Sequence, residues 1–231
     1  MALSDDVLTL RDRVLADLAS AHDYFEDTKA VWDLMRSIIA AGRKITIQNL
    51  TTGTITTQVQ LAEKARSYVA KQLTEATFQQ FISIFENWFY DLLRLWLTAY
   101  PESLGKKMVD FKSNLDLPNK DAITQLVVRK ELNEVLYDRP TEWFSYLDGK
   151  VKLGCPTSNE VERIAEAKAT RDVFVHNKGV ANKTYESKAG NLARFHDGEK
   201  IDISEQYHRE TWELVHRVVS DVSNAAIAKA S

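Results

Sequence analysis

The chain has one cysteine, Cys155, among 231 residues, so it has neither an intrachain disulfide nor a thiolate pair for zinc. It also lacks an uninterrupted apolar run long enough to span a bilayer. The most apolar stretch, Phe78 to Tyr100, carries Glu86, Asp91 and Arg94. Positive charge is not in excess: 30 basic against 33 acidic residues give a net charge of -3. A nonspecific RNA coat needs a broad cationic field, so any RNA site here must be a local patch. None of the eight glycines builds a phosphate-cradling loop, and no Gly-x-Ser-x-Gly elbow occurs. That excludes P-loop, dinucleotide and serine-hydrolase readings. The five histidines include no close helical pair; His208 and His216 lie about two turns apart, too far to grip one ion, so no metal site and no cofactor is expected. The opening MALSDDVLTLRDRV is polar and acidic, unlike a signal peptide. A soluble, cytoplasmic chain with no membrane partner is the expectation.

What is present is helical periodicity. Ser4 to Ala41 reads as one long helix, with Ser4 as N-cap, Asp5 and Asp6 in the first turn, and Val7, Leu10, Val14 and Leu18 on one face. Lys44 to Gln60 is rich in Ile, Thr and Val around Thr52-Gly53, and predicts a small hairpin that serves as a dimer contact or as a connector. From Gln58 or Leu61 to Tyr100 a second helical region follows, bent near Thr74. Its stripe is Phe78, Phe81, Phe85, Trp88, Phe89, Leu92 and Trp96. Pro101 and Gly105 end it, and Pro118-Asn119-Lys120 starts a third helix over Asp121–Tyr137. Pro140 opens a short helical turn, Trp143 to Leu147. Thr157 or Ser158 caps the next helix, and a polar loop over Asn177–Lys200 precedes a last helix from about Ser204 to Ala230. Cys155, with no His and acid nearby in sequence, reads as structural. The fold class is all-α, an up-and-down bundle with a long N-terminal helix and a small β-hairpin.

Chemistry concentrates at Arg171-Asp172-Val173-Phe174-Val175-His176-Asn177, late in the helix that begins near Ser158. At about 100° per residue, Asp172 falls about 100° and His176 about 140° round from Arg171, so the cation and imidazole adjoin with the carboxylate between them. Asp172 and His176 are also four apart, the spacing at which helical side chains meet. Spacing alone is equally compatible with a surface ion pair at Arg171 and a His176 that complements the negative helix end.

The arrangement resembles the HEPN superfamily, whose hallmark is an Arg, usually followed by a polar residue, and a His four to six residues further on. Here that is Arg171, Asp172 and, after four intervening residues, His176; His176-Asn177-Lys178-Gly179 is similar to the His-Asn-x-Gly of many bacterial members. Phe85-Glu86 through Asp91-Leu92-Leu93 looks like the first core helix of that group, and Leu136-Tyr137 through Glu142-Trp143-Phe144 like its connector. The resemblance spans residues 61–231, leaving 1–60 as an N-terminal helix and hairpin extension.

The resemblance implies a helical homodimer whose two motif helices line one cleft. It implies a metal-independent endoribonuclease of toxin, abortive-infection or antiviral defence type, with a neutralising or regulatory protein partner. RNA would be cut to 2′,3′-cyclic phosphate and 5′-hydroxyl ends. Arg171 is expected to clamp phosphate and His176 to transfer protons, since histidine ordinarily titrates near ~6.5 and arginine keeps its charge. Asp172 would orient His176, Asn177 would hold the helix end or touch RNA, and Glu86 would steer Arg171. Lys178 and Lys183 would contact RNA. Some members carry Tyr two residues after the His, as the target of a nucleotidyltransferase; Lys178 stands there, which puts that regulation in doubt. The rival expectation is a noncatalytic HEPN-like nucleotide- or RNA-binding or protein-assembly module.

Overall fold

The computed structural model describes residues 2–105 and 119–230. Its architecture is all-α apart from one two-stranded sheet. Helix α1 (Leu3–Ala40) starts on Ala2 with no side-chain cap, so Ser4 lies inside the helix and does not cap it. The expected hairpin is present as β1 (Ile47–Gln48) and β2 (Ile55–Thr56), antiparallel, with Ile47 opposite Thr56. A capping box of Thr57 and Gln60 opens α2 (Gln58–Ser67). A π-helical stretch, Tyr68–Leu73, joins α2 to α3 (Thr74–Ala99), and it ends where the sequence predicts a bend.

Helix α3 is the axis of the body. Phe78, Phe81, Ile82, Phe85, Trp88, Phe89, Leu92 and Leu93 recur at three and four and are all buried. At roughly 2 kcal/mol for each large side chain removed from water, this face dominates local stability. It packs against α1 and against α8 (Glu205–Ala230), where Trp88 Nε1 donates to Ser223 Oγ at 3.1 Å. Val7, Leu10, Val14, Leu18 and Ala21 of α1 join the same core, which therefore runs across the boundary expected at residue 60. In the second half of α1, Phe25 is buried while Val31 and Leu34 are exposed.

Helix α4 (Lys120–Tyr137) is capped by Asn119 Oδ1, which accepts from the Ala122 N–H at 2.9 Å; Pro118, part of the predicted start, lies outside the described residues. Helix α5 (Pro140–Val151) is longer than the short turn expected. Helix α6 (Ser158–Asn177) carries the Arg–His segment, and Thr157, not Ser158, is its cap, in a reciprocal box with Glu160. Beyond it the expected loop contains a short helix, α7 (Lys183–Ala189). Tyr185, Ala181, Ala189 and Ile201 bury against Ala169 and Val173 of α6 and form a second, smaller core. That apolar set is hidden in a polar composition, which is why the segment reads as loop. No helix among the described residues is long and apolar enough to cross a membrane.

Candidate functional site

Helix α6 can lie close to its neighbours because its inner face is small: Ala165, Ala167 and Ala169 alternate with Ile164, Thr170 and Val173. This brings Arg171 to Glu86 on α3, and the two form an ion pair through Nη2 and Oε2. The side chains are 16% and 22% exposed. Arg171 Nη1 also pairs with Asp172 Oδ1 at 3.2 Å, while Arg171 Nε is buried without a hydrogen-bond partner among the described residues. Lys168, one turn back, bridges both carboxylates, at 3.3 Å from Glu86 Oε1 and 3.0 Å from Asp172 Oδ2. Lys188 of α7 approaches the same Asp172 oxygen at 3.5 Å. Three cations thus surround two carboxylates.

Glu86, Arg171 and Asp172 are therefore together. The expected Asp172–His176 contact is not made: among the described residues no hydrogen bond joins them. Both Asp172 oxygens instead face the cations Lys168, Arg171 and Lys188. The His176 imidazole is exposed and makes no hydrogen bond among the described residues. Asn177 holds the helix end, with its Nδ2 donating to the Val180 carbonyl at 2.5 Å. Lys178 follows in the left-handed conformation at φ 54°, and Gly179 at φ 77° sends its N–H back to the Val173 carbonyl at 3.2 Å.

Beside His176 lies a cleft of about 150 Å³. Ala169, Val173 and Tyr185 line it with Asp172, His176, Asn177, Asn182, Thr184 and Lys188. Imidazole, amide, hydroxyl and ammonium groups share this small recess with the Asp172 carboxylate, and together suit a polar ligand. Lys183 is exposed and lines an adjoining groove; Lys178 is exposed and lines neither. Arg194, grouped by sequence with the loop cations, instead turns inward to a carboxylate, Glu166.

Lys168 is the participant that sequence reading missed. Its signal was available, because Lys168 and Asp172 stand four apart, the spacing of a helical ion pair. Glu166 was also missed. It is buried, and accepts from Thr170 Oγ1 at 2.8 Å, Tyr185 OH at 3.0 Å, Arg194 Nε at 3.0 Å and Tyr207 OH at 2.5 Å. Burial and the Glu166 charge push Tyr207 well above the ordinary phenol range, so it remains a donor. This network fixes the cover formed by residues 178–201 onto α6 and so shapes one wall of the cleft. No family model, curated protein or solved structure matches the chain.

Proposed function

We propose that the chain is a HEPN-type, metal-independent endoribonuclease acting in the cytoplasm, in a toxin or defence setting with a neutralising or regulatory partner. The observation that carries the reading is the contrast along one helix: Arg171 is fixed by Glu86 and Asp172, while His176 is unbound at the mouth of a polar cleft. In this chemistry a base takes the 2′-hydroxyl proton and the 2′-oxygen attacks phosphorus. The bond to the 5′-oxygen breaks, and an acid returns a proton to that oxygen. Two copies of the chain would supply two His176 side chains, one for each transfer. Lys188 at the cleft supplies positive charge for the phosphorane, joined by Arg171 and Lys168 once a phosphate displaces a carboxylate partner. Asp172 acts on Arg171 and the lysines, not on His176.

A second reading, a noncatalytic RNA-binding or assembly module, is favoured by one feature of the same site. Both terminal nitrogens of Arg171 already have carboxylate partners, so a phosphate must displace one to be clamped. The test is incubation of mixed cellular RNA with wild type and His176→Ala in EDTA, followed by end-group analysis. Cleavage by wild type alone, leaving 2′,3′-cyclic phosphates, is expected. Equal cleavage by both proteins overturns the role of His176, and none by either leaves the binding module as the better reading.

A further inference from the structure

We propose that the groove between α7 and the α4–α5 corner holds the same RNA strand next to the His176 cleft, with Tyr137 as a stacking platform for an unpaired base. This rests on the RNA reading of that cleft and adds to it a place where the flanking nucleotide is held.

The groove has a volume of about 480 Å³, and Thr184 and Lys188 line both it and the smaller cleft. Helix α7 is therefore their common wall, and a strand leaving His176 over Lys188 enters the groove directly. At its far side stands Tyr137, the last residue of α4, 91% exposed. A single exposed tyrosine is ordinary. Here, however, the bare ring shares a groove with three cations, Arg139, Lys183 and Lys188, and two acids, Asp138 and Glu142, with Lys188 also paired to Asp172. Arg139 is held in place, donating to the Ser187 carbonyl at 3.2 Å and to Glu142 Oε1 at 2.9 Å. The other Glu142 oxygen accepts from Thr141 at 2.6 Å, so this acid is already engaged. Lys183 makes no ion pair among the described residues, and its ammonium is open to a phosphate.

An aromatic face beside phosphate-binding cations is the composition of single-strand sites, where bases stack whatever their identity and cations follow the backbone. A duplex keeps its bases stacked on one another and has no use for the ring. The groove therefore takes single-stranded RNA, with contacts that are tolerant of sequence.

The test is fluorescence anisotropy of the full chain with a labelled single-stranded 2′-O-methyl RNA, which binds but lacks the attacking hydroxyl. Tyr137→Ala is expected to weaken binding about 10-fold, whereas Tyr137→Phe and Tyr137→Trp bind like wild type. Lys183→Ala is expected to flatten the dependence of log K on log salt by about 0.7, one phosphate's worth. Tyr137 is exposed, so melting curves of its variants should superimpose on wild type. Equal binding by wild type and Tyr137→Ala overturns the stacking platform and leaves the RNA reading standing. A Phe variant as weak as the Ala variant also overturns it, because the hydroxyl would then carry the contact. No binding by wild type removes both.

Discussion

Arg171 on α6 and Glu86 on α3, 85 residues apart in sequence, form an ion pair between their two helices, and Lys168 closes it on the other side. Mostly buried charges of this kind are held less by net attraction than by the cost of leaving a partner alone. Removing Glu86 would leave Arg171 and Lys168 sharing Asp172. A double-mutant cycle of Glu86→Gln and Arg171→Gln, followed by urea denaturation, should return a coupling of about 1–3 kcal/mol. Strictly additive losses would mean that the pair is incidental to stability.

The turn after His176 gives a prediction with opposite signs at neighbouring positions. A Cβ on Gly179 would lie 3.1 Å from Phe174 Cε1, at a φ of 77° that L-residues avoid. Gly179→Ala should therefore destabilise the fold by about 1–2 kcal/mol. Lys178 has a left-handed φ of 54° with a side chain, so Lys178→Gly relieves strain and should raise stability by ~0.5 kcal/mol. Urea midpoints of the two variants moving in the same direction would contradict this account.

The sequence was informative where packing is periodic. The stripe Phe78–Trp96 specifies α3 because apolar residues at three and four can only be buried together on a helix. Thr52-Gly53 between Ile- and Thr-rich segments specifies the hairpin for a similarly local reason. The meeting of Glu86 with Arg171 came from the family resemblance, since nothing local ties residue 86 to residue 171. Asp172 was assigned to His176 because spacing shows which side chains can meet and not which partner wins. Lys168 and Lys188 reach the carboxylate instead, at 3.0 and 3.5 Å. Residues 177–200 read as loop because the apolar residues that dock α7 are scattered: Ala181, Tyr185 and Ala189 are recognisable only with α6 in place.

Glu166 connects that cover to the body. It accepts four hydrogen bonds, and the Arg194 guanidinium stacks 3.4 Å above the Tyr207 ring while pairing with it. Glu166→Gln keeps the size but removes the charge that neutralises Arg194, and its amide nitrogen presents hydrogens to other donors. A loss of about 3 kcal/mol in global stability is expected. Limited proteolysis should also cut first within 178–201. Unchanged melting and an unchanged cleavage pattern would show that the network is dispensable.

His208 links stability to pH. It is fully buried on α8 between Phe25 and Phe81, with Nε2 2.7 Å from Thr77 Oγ1. The Thr77 hydroxyl already donates to the Leu73 carbonyl at 2.8 Å, so Oγ1 must accept and the Nε2 of His208 carries the hydrogen. That leaves Nδ1 as a buried lone pair with no partner among the described residues. Protonating it would bury both a charge and an unanswered donor. Burial, with a smaller contribution from His22, lowers the pKa to about 4. Because the folded value lies below the unfolded one, the unfolded chain takes up a proton first as pH falls. This stability is complete above the unfolded pKa and is lost progressively down to the folded one. The loss should be about 2 kcal/mol on going from about pH 7.5 to about pH 5. His208→Gln, which cannot titrate, should lack that component even though it is less stable at neutral pH. Parallel pH profiles of the urea midpoint for wild type and this variant would mean that His208 is not the group responsible.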